Sequence, residues 1–330
     1  MAPLLPGAAV VAILAIAAWL LGPLVPLVGA PLVALAAGAL LGNTMGLPAS
    51  WRPGVDFTVK RLLRVAIVLF GTTLSLAEVL ATGGSALVLI GVTVLAALVF
   101  TYLFGLWLRV PSRLVSLIGV GTAICGATAI ITVGPILRSS AEEIAFAVTT
   151  IFLFNALAVA VYPLLGHLLA LSDRLFGLWA GTAIHDTSSV LAAAYAYSDQ
   201  AGAVATVVKL TRTLVLVPLA LAVALAVSYR EMGEGRGERS RLRLGAIFPW
   251  FVLWFAAAAL LHSLGVLPPA LVRVLGVVGK FFVVMVMAAV GLGADAAAMR
   301  RLGARPLLIG LFAAVLIAAL SLTLARWLAR

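Results

Sequence analysis

The stretch Ala86-Leu-Val-Leu-Ile-Gly-Val-Thr-Val-Leu-Ala-Ala-Leu-Val-Phe100 decides the fold class. Its apolar residues run on without alternating, so it has neither a polar face for water nor the period of two of a half-exposed strand. With its neighbours it makes an apolar segment over residues 84–108, longer than the roughly 18 residues that can cross a bilayer as a helix. In lipid the backbone must satisfy its own hydrogen bonds, which leaves helices or closed barrels. Barrel strands alternate, and neither this run nor residues 214–227 do. The rest of the chain agrees: of 330 residues, 64% are hydrophobic and 10% charged, and the mean hydropathy is +1.24. Soluble proteins average about 25% charged residues, and a soluble fold of this length could not hide so much apolar chain in its core. The expected fold is an all-α polytopic membrane protein.

Working outward, the apolar runs give about eleven spans, near 7–22, 24–42, 62–80, 84–108, 114–136, 142–168, 174–197, 201–228, 247–263, 268–294 and 306–326. They make one membrane domain over 1–330, with N-terminal spans and a polar link (1–60), a core (61–228), a cytoplasmic loop (229–246) and C-terminal spans (247–330). A net charge of +11 would suggest nucleic acid in a soluble protein. Here the basic residues sit at span ends, so no nucleic-acid partner is expected. When sides alternate, Arg52, Lys60, Arg61, Arg64, Arg109, Arg113, the five arginines of 229–243, and Arg300, Arg301 and Arg305 fall on one side. The positive-inside rule makes that side cytoplasmic, with the N-terminus inside and the C-terminus outside. Arg138, Arg326 and Arg330 break the pattern. The start Met1-Ala2-Pro3-Leu4 has no basic n-region and reads as a first span rather than a cleaved signal. Gly38, Gly42 and Gly46, spaced by four, suit close helix packing. Residues 65–76 resemble 283–294, and Leu89-Ile90-Gly91 matches Leu308-Ile309-Gly310 after a shift of one. Spans three and four would then repeat as ten and eleven with inverted orientation, as in many secondary transporters; shared apolar composition is the plainer explanation.

Two further segments look alike: Gly121-Thr-Ala-Ile-Cys-Gly-Ala-Thr-Ala-Ile130 and Gly181-Thr-Ala-Ile-His-Asp-Thr-Ser-Ser-Val190. Glycine lets a backbone leave helical geometry. An unwound stretch exposes N–H and C=O groups to a polar solute, and the N-terminal end of the following half-helix attracts anions. Thr122, Cys125 and Gly126 on one broken helix, and Thr182, Thr187, Ser188 and Ser189 on the other, are the substrate-binding candidates. Small residues that merely let helices pack closely are the alternative. Alternating sides gives the two motifs the same orientation, so they are not an obvious inverted pair.

Asp186 falls mid-span, where a carboxylate costs about 2.5–3.5 kcal/mol unless paired, protonated or hydrated. With His185, which titrates near neutrality when unperturbed, it is the candidate for coupling a proton or ion; ion pairing and packing are the structural alternatives. Lys209 and Arg212 share one helix face, where they could neutralise Asp186 or hold an anion, or else snorkel to an interface. Asn155 should bond across helices, for structure or for substrate. Glu142 and Glu143 are expected at the outer start of the sixth span, favouring a helix N-terminus. Lys280 belongs to an interface or pairs with Asp295, and His167 and His262 are interfacial. Cys125 is the only cysteine, which excludes a disulfide framework within the chain and a thiolate cluster. There is no HExxH, phosphate-binding loop or CxxC, and neither a metal nor a cofactor is expected.

The motifs at 121–127, Phe154-Asn155, Tyr162-Pro163, 181–189 and Val208-Lys-Leu-Thr-Arg212, in this order and spacing, together resemble the YeiH-like family of candidate bacterial sulfate exporters over nearly the whole chain. The resemblance implies an inner-membrane protein of ten or eleven spans, related to transporters built from inverted repeats and broken helices. The resulting expectation is a secondary transporter, not an enzyme, for a small anion, sulfate or a sulfonate first. A homodimer is compatible with it. Export of a dianion is helped by an inside-negative potential, by about 2.3 kcal/mol per charge per 100 mV. The alternatives are a Na⁺- or H⁺-coupled carrier of another organic anion, with Lys209 as an internal counter-charge; an intramembrane enzyme with Cys125 as nucleophile and His185 as base; and a passive channel.

Overall fold

The computed structural model describes residues 4–24, 29–233, 248–297 and 303–328, the side chains of 227–233 excepted. Of the expected loop 229–246, residues 229–233 continue a helix and the rest lies outside the described residues, as do Arg300, Arg301 and Arg330. The described residues are helical or in short connections, with no strand. In chain order they are α1 (Leu5–Leu21), α2 (Gly29–Met45), α3 (Arg52–Phe57), which passes through a π-turn at Thr58–Leu62 into α4 (Leu63–Gly71), and α5 (Leu76–Trp107). Then come α6 (Ser112–Ala123), α7 (Ala127–Val133), α8 (Ala141–Leu168), α9 (Asp173–Ala183), α10 (Thr187–Tyr197), α11 (Asp199–Leu214) and α12 (Leu216–Gly233). The last are α13 (Trp250–Ser263), α14 (Pro269–Leu292) and α15 (Ala304–Leu328). Among the described residues, six stretches are long and apolar enough to cross a membrane: Leu5–Leu24, Leu76–Trp107, Ala141–Leu168, Asp199–Ala226, Pro269–Leu292 and Ala304–Leu328. The polar link at 51–64 is itself helical. Its Lys60 pairs with Asp56 one turn back, and the helix leading into α4 starts at Arg52, ahead of the expected 62.

Contacts sort the helix ends onto two faces. The backbone at Gly54 touches the start of α1. Gly38 and Gly42 of α2 lie against the carbonyls of Ala288 and Leu292 in α14, where any added methyl would collide, so these two helices run parallel. Gly46 meets nothing within 4 Å and instead turns the chain with φ +70°. Phe70 of α4 and Thr73 in the turn after it face Gly279 and Gly276, so α4 and α14 run antiparallel. Helices α1, α2, α4, α13 and α14 share one apolar core, which also takes in Val159 of α8, Leu191 and Ala192 of α10 and Val207 and Leu210 of α11; α5 to α12 and α15 contribute to another.

The expected fifth and seventh spans do not cross. At the end of α10, Tyr197 stacks on Phe176 of α9 at 3.9 Å and on His167 at 4.4 Å, and its hydroxyl donates to the Leu171 carbonyl between α8 and α9. Helix α10 has therefore returned to the face from which α9 entered. Helix α11 then runs parallel to α9, with Gly177 against Val204 and Gly181 against Val208. In the other segment Gly121 of α6 abuts Ile130 of α7 and Ile151 of α8. Just beyond α7, Ile136 packs on Ala220 and Ala224 of α12, which is by then heading for the face where α6 began. Each segment is long enough to span, but a break at half its length lets the two arms lie side by side, a distinction that hydropathy does not register.

This corrects three expectations. Arg138 joins Arg52, Lys60, Arg61, Arg64, Arg109, Arg113 and Arg305 on one face, the basic face, and is no exception. Glu142 and Glu143 start α8 on that same face, where Glu143 completes a capping box with Ser140. Because α8 crosses between them, the two hairpins enter from opposite faces and are inverted relative to each other, not alike.

Candidate functional site

The hairpin tips meet. Gly126, between α6 and α7, has φ 63° and ψ −129°, a region costly for any residue with a Cβ. A methyl there would also sit 3.3 Å from the Asp186 Cβ in the other tip. Gly126→Ala should therefore cost about 1–3 kcal/mol, read as a loss of unfolding free energy in detergent. A neutral substitution would mean that the tips do not touch.

Each tip leaves the last carbonyls of a half-helix without partners, and helix C-termini carry partial negative charge. Lys209 and Arg212, one turn apart on α11 and both fully buried, satisfy them. The Lys209 Nζ donates to the carbonyls of Ile124 (2.8 Å), Ile184 (3.0 Å) and His185. Three acceptors around one nitrogen match the three donors of an ammonium group. The Arg212 guanidinium donates through Nε to Ala123 (2.7 Å), through Nη1 to Thr182 and Ile184, and through Nη2 to Thr122. Both cations thus bridge the two hairpins, and their hydrogen bonds go to backbone, not to Asp186.

Asp186 instead caps α10: its Oδ2 accepts from the Ser188 N–H at 3.0 Å and from the Ser188 hydroxyl. The tip is held from the side by α8. Asn155 Oδ1 accepts the N–H groups of His185 (3.2 Å) and Asp186 (3.0 Å). Two donors on one amide atom identify it as the oxygen, so the amide NH₂ points elsewhere. A cavity of about 450 Å³ lies against this junction, lined by Asn155, Asp186 and Cys125 at its inner end and by Lys60, Arg64 and Trp250 toward the basic face. Asp186 is the only acidic residue on its wall among the described residues.

The expected site residues therefore divide. Cys125, Asn155, Asp186, Thr187, Ser188 and Ser189 line the cavity. Thr122, Gly126, Thr182, His185, Lys209 and Arg212 form the scaffold behind it. The Thr182 hydroxyl bonds back to Leu178 at 2.7 Å, while Thr122 Oγ1 and His185 Nδ1 are buried without partners. Thr128 and Thr213 also line the cavity. Thr128 lay within the first motif and Thr213 beside Arg212, but nothing in their spacing set them apart. Lys280 pairs with Asp199 at 2.6 Å, not with Asp295.

A family model described as "Conserved hypothetical protein 698" matches residues 6–310. A UPF0324 membrane protein of Streptococcus pyogenes serotype M18 (strain MGAS8232) is 38% identical over 328 residues, covering 97% of this chain and 96% of that one. One from Streptococcus agalactiae serotype V (strain ATCC BAA-611 / 2603 V/R) is 37% identical over 314 residues, covering 93% and 92%. One from Clostridium tetani (strain Massachusetts / E88) is 33% identical over 321 residues, covering 94% and 93%.

Proposed function

Since the chain belongs to the family of conserved hypothetical protein 698 and its bacterial relatives are called membrane proteins, we propose that it is a secondary carrier of a small anion, with sulfate or a sulfonate as the first candidate. The charge balance at the tips supports this reading: two fully buried cations stand behind a cavity whose wall carries one carboxylate. The excess of one positive charge acts in a site of low dielectric, where fields are strong. The Asn155 NH₂ and the first-turn N–H groups of Thr187 and Ser189 supply neutral donors for an oxyanion. The basic face, cytoplasmic by the positive-inside rule in an inner membrane, carries the mouth of the cavity, which suits loading from inside and hence export.

Asp186 favours a coupled version of the same site. A proton on it would raise the excess to two positive charges, matching a dianion. The test is uptake of radiolabelled sulfate and of a sulfonate by proteoliposomes at fixed potential, with and without a pH gradient. Saturable flux of either anion supports the carrier, and flux no greater than in empty liposomes for any small anion sinks it. Asp186→Asn should remove the dependence on the pH gradient while leaving exchange measurable. If the dependence survives, Asp186 is only the cap of α10.

A further inference from the structure

Leu191 and Ala192 of α10 and Val207 and Leu210 of α11 are buried in the core of the first helix group, and toward the face opposite the basic one a seam of larger side chains adds to this contact. From the first group, α4 contributes Phe70 and α14 contributes Lys280. From the hairpin group, α10 contributes Tyr195 and α11 contributes Asp199. The Phe70 and Tyr195 rings stack at 4.3 Å with 22° between their planes. Phe70 lies in the notch at Gly279, where an added Cβ would be 2.9 Å from its Cε1. The neighbouring Lys280 ammonium is 2.6 Å from the Asp199 carboxylate. An aromatic stack and an ion pair thus meet at adjacent positions of α14, both joining the same two groups, and none of these four residues lines the cavity, whose wall runs from the tips to Lys60, Arg64 and Trp250.

We propose that these four residues are the gate that shuts the site from the face opposite the basic one, and that opening this face separates α10 and the start of α11 from α4 and α14. The chemistry suits a contact that must break in each cycle. The pair is half-exposed, with side-chain exposures of 32% for Lys280 and 74% for Asp199, so water can receive both charges when they part. The stack separates two rings without orphaning a hydrogen bond. The lysine and arginine clamp, by contrast, is wholly buried and lies within the hairpin group, so the two tips would move as one body.

The proposal rests on the carrier reading, but its test needs no substrate. Cys125, the only cysteine, is buried, so the reporter is Thr128→Cys, at an exposed position on the cavity wall, in a Cys125→Ala chain; its labelling by a membrane-impermeant thiol reagent reports which face reaches the site. In sealed vesicles of each orientation, this otherwise wild-type chain should label from the basic face. Asp199→Lys should raise the labelling rate from the opposite face about two- to fivefold, the range expected for an exposed pair. Tyr195→Ala, which removes the stack, should raise it further. The exchange Asp199→Lys with Lys280→Asp should restore the wild-type pattern, which a misfolded chain would not do. An unchanged rate in both single variants, or a charge exchange that fails to restore the pattern, would overturn the gate. Gated labelling without flux of any tested anion would instead fault the substrate class.

Discussion

Arg212→Leu is expected to cost at least about 3 kcal/mol of unfolding free energy in detergent, in the range for removing one partner of a buried charged contact. The guanidinium reaches the carbonyls of Thr122 and Ala123 on one hairpin and of Thr182 and Ile184 on the other. A leucine fills much of the volume but leaves these acceptors in a dry interior, where unsatisfied groups are expensive. Arg212→Lys should recover only part of the loss, because one ammonium cannot reproduce a planar fork that spans two hairpins. Lys209→Met should behave like Arg212→Leu, since it orphans three carbonyls. The measurement is denaturant unfolding of the purified protein. A leucine variant within about 1 kcal/mol of wild type would mean that the clamp is not what holds the tips together.

Asn155→Asp should lower anion affinity on the order of 100-fold while leaving the fold intact. An aspartate can still accept both N–H groups of His185 and Asp186, so the tip keeps its support. What changes is the other end of the side chain, where two donors become a charged acceptor on the cavity wall. Like charges brought together cost several kcal/mol, and each 1.4 kcal/mol is tenfold in affinity. Asn155→Ala separates the two roles: it should destabilise the tip by about 1–3 kcal/mol, through two unpaired N–H groups. Binding measured by calorimetry, with unfolding measured in parallel, distinguishes them. An aspartate variant that binds the anion as wild type does would place the anion away from Asn155.

The Cys125–His185 pair that the intramembrane-enzyme alternative invokes is not formed among the described residues. Cys125 faces the cavity, but His185 lies behind the tip with Nδ1 unpartnered, and no hydrogen bond joins the two. A nucleophile and its base have to be within hydrogen-bond reach.

Composition and uninterrupted apolar runs determined by themselves that this chain is helical and lives in a bilayer, because the need to satisfy every backbone group in lipid leaves few solutions. The paired motifs located the breaks, since only small residues and glycine can fill a turn where two backbones touch, as Gly126 touches Asp186. Lys209, Arg212, Asp186 and Asn155 stood out because polar groups at such depth need a reason. What those groups bind was not legible. A cation mid-span signals that a partner exists, but whether the partner is a carboxylate, a substrate or a half-helix carbonyl depends on which helix end lies opposite. Hydropathy measures how much apolar chain there is and not its direction, so a through-going span and a half-membrane hairpin look the same. Only the tertiary structure decided that α6–α7 and α9–α10 turn back, that they do so from opposite faces, and that one helix carries both cations that hold their tips together. Those facts rest on contacts such as Tyr197 with Phe176, between residues far apart along the hairpin, and no local propensity encodes such pairings.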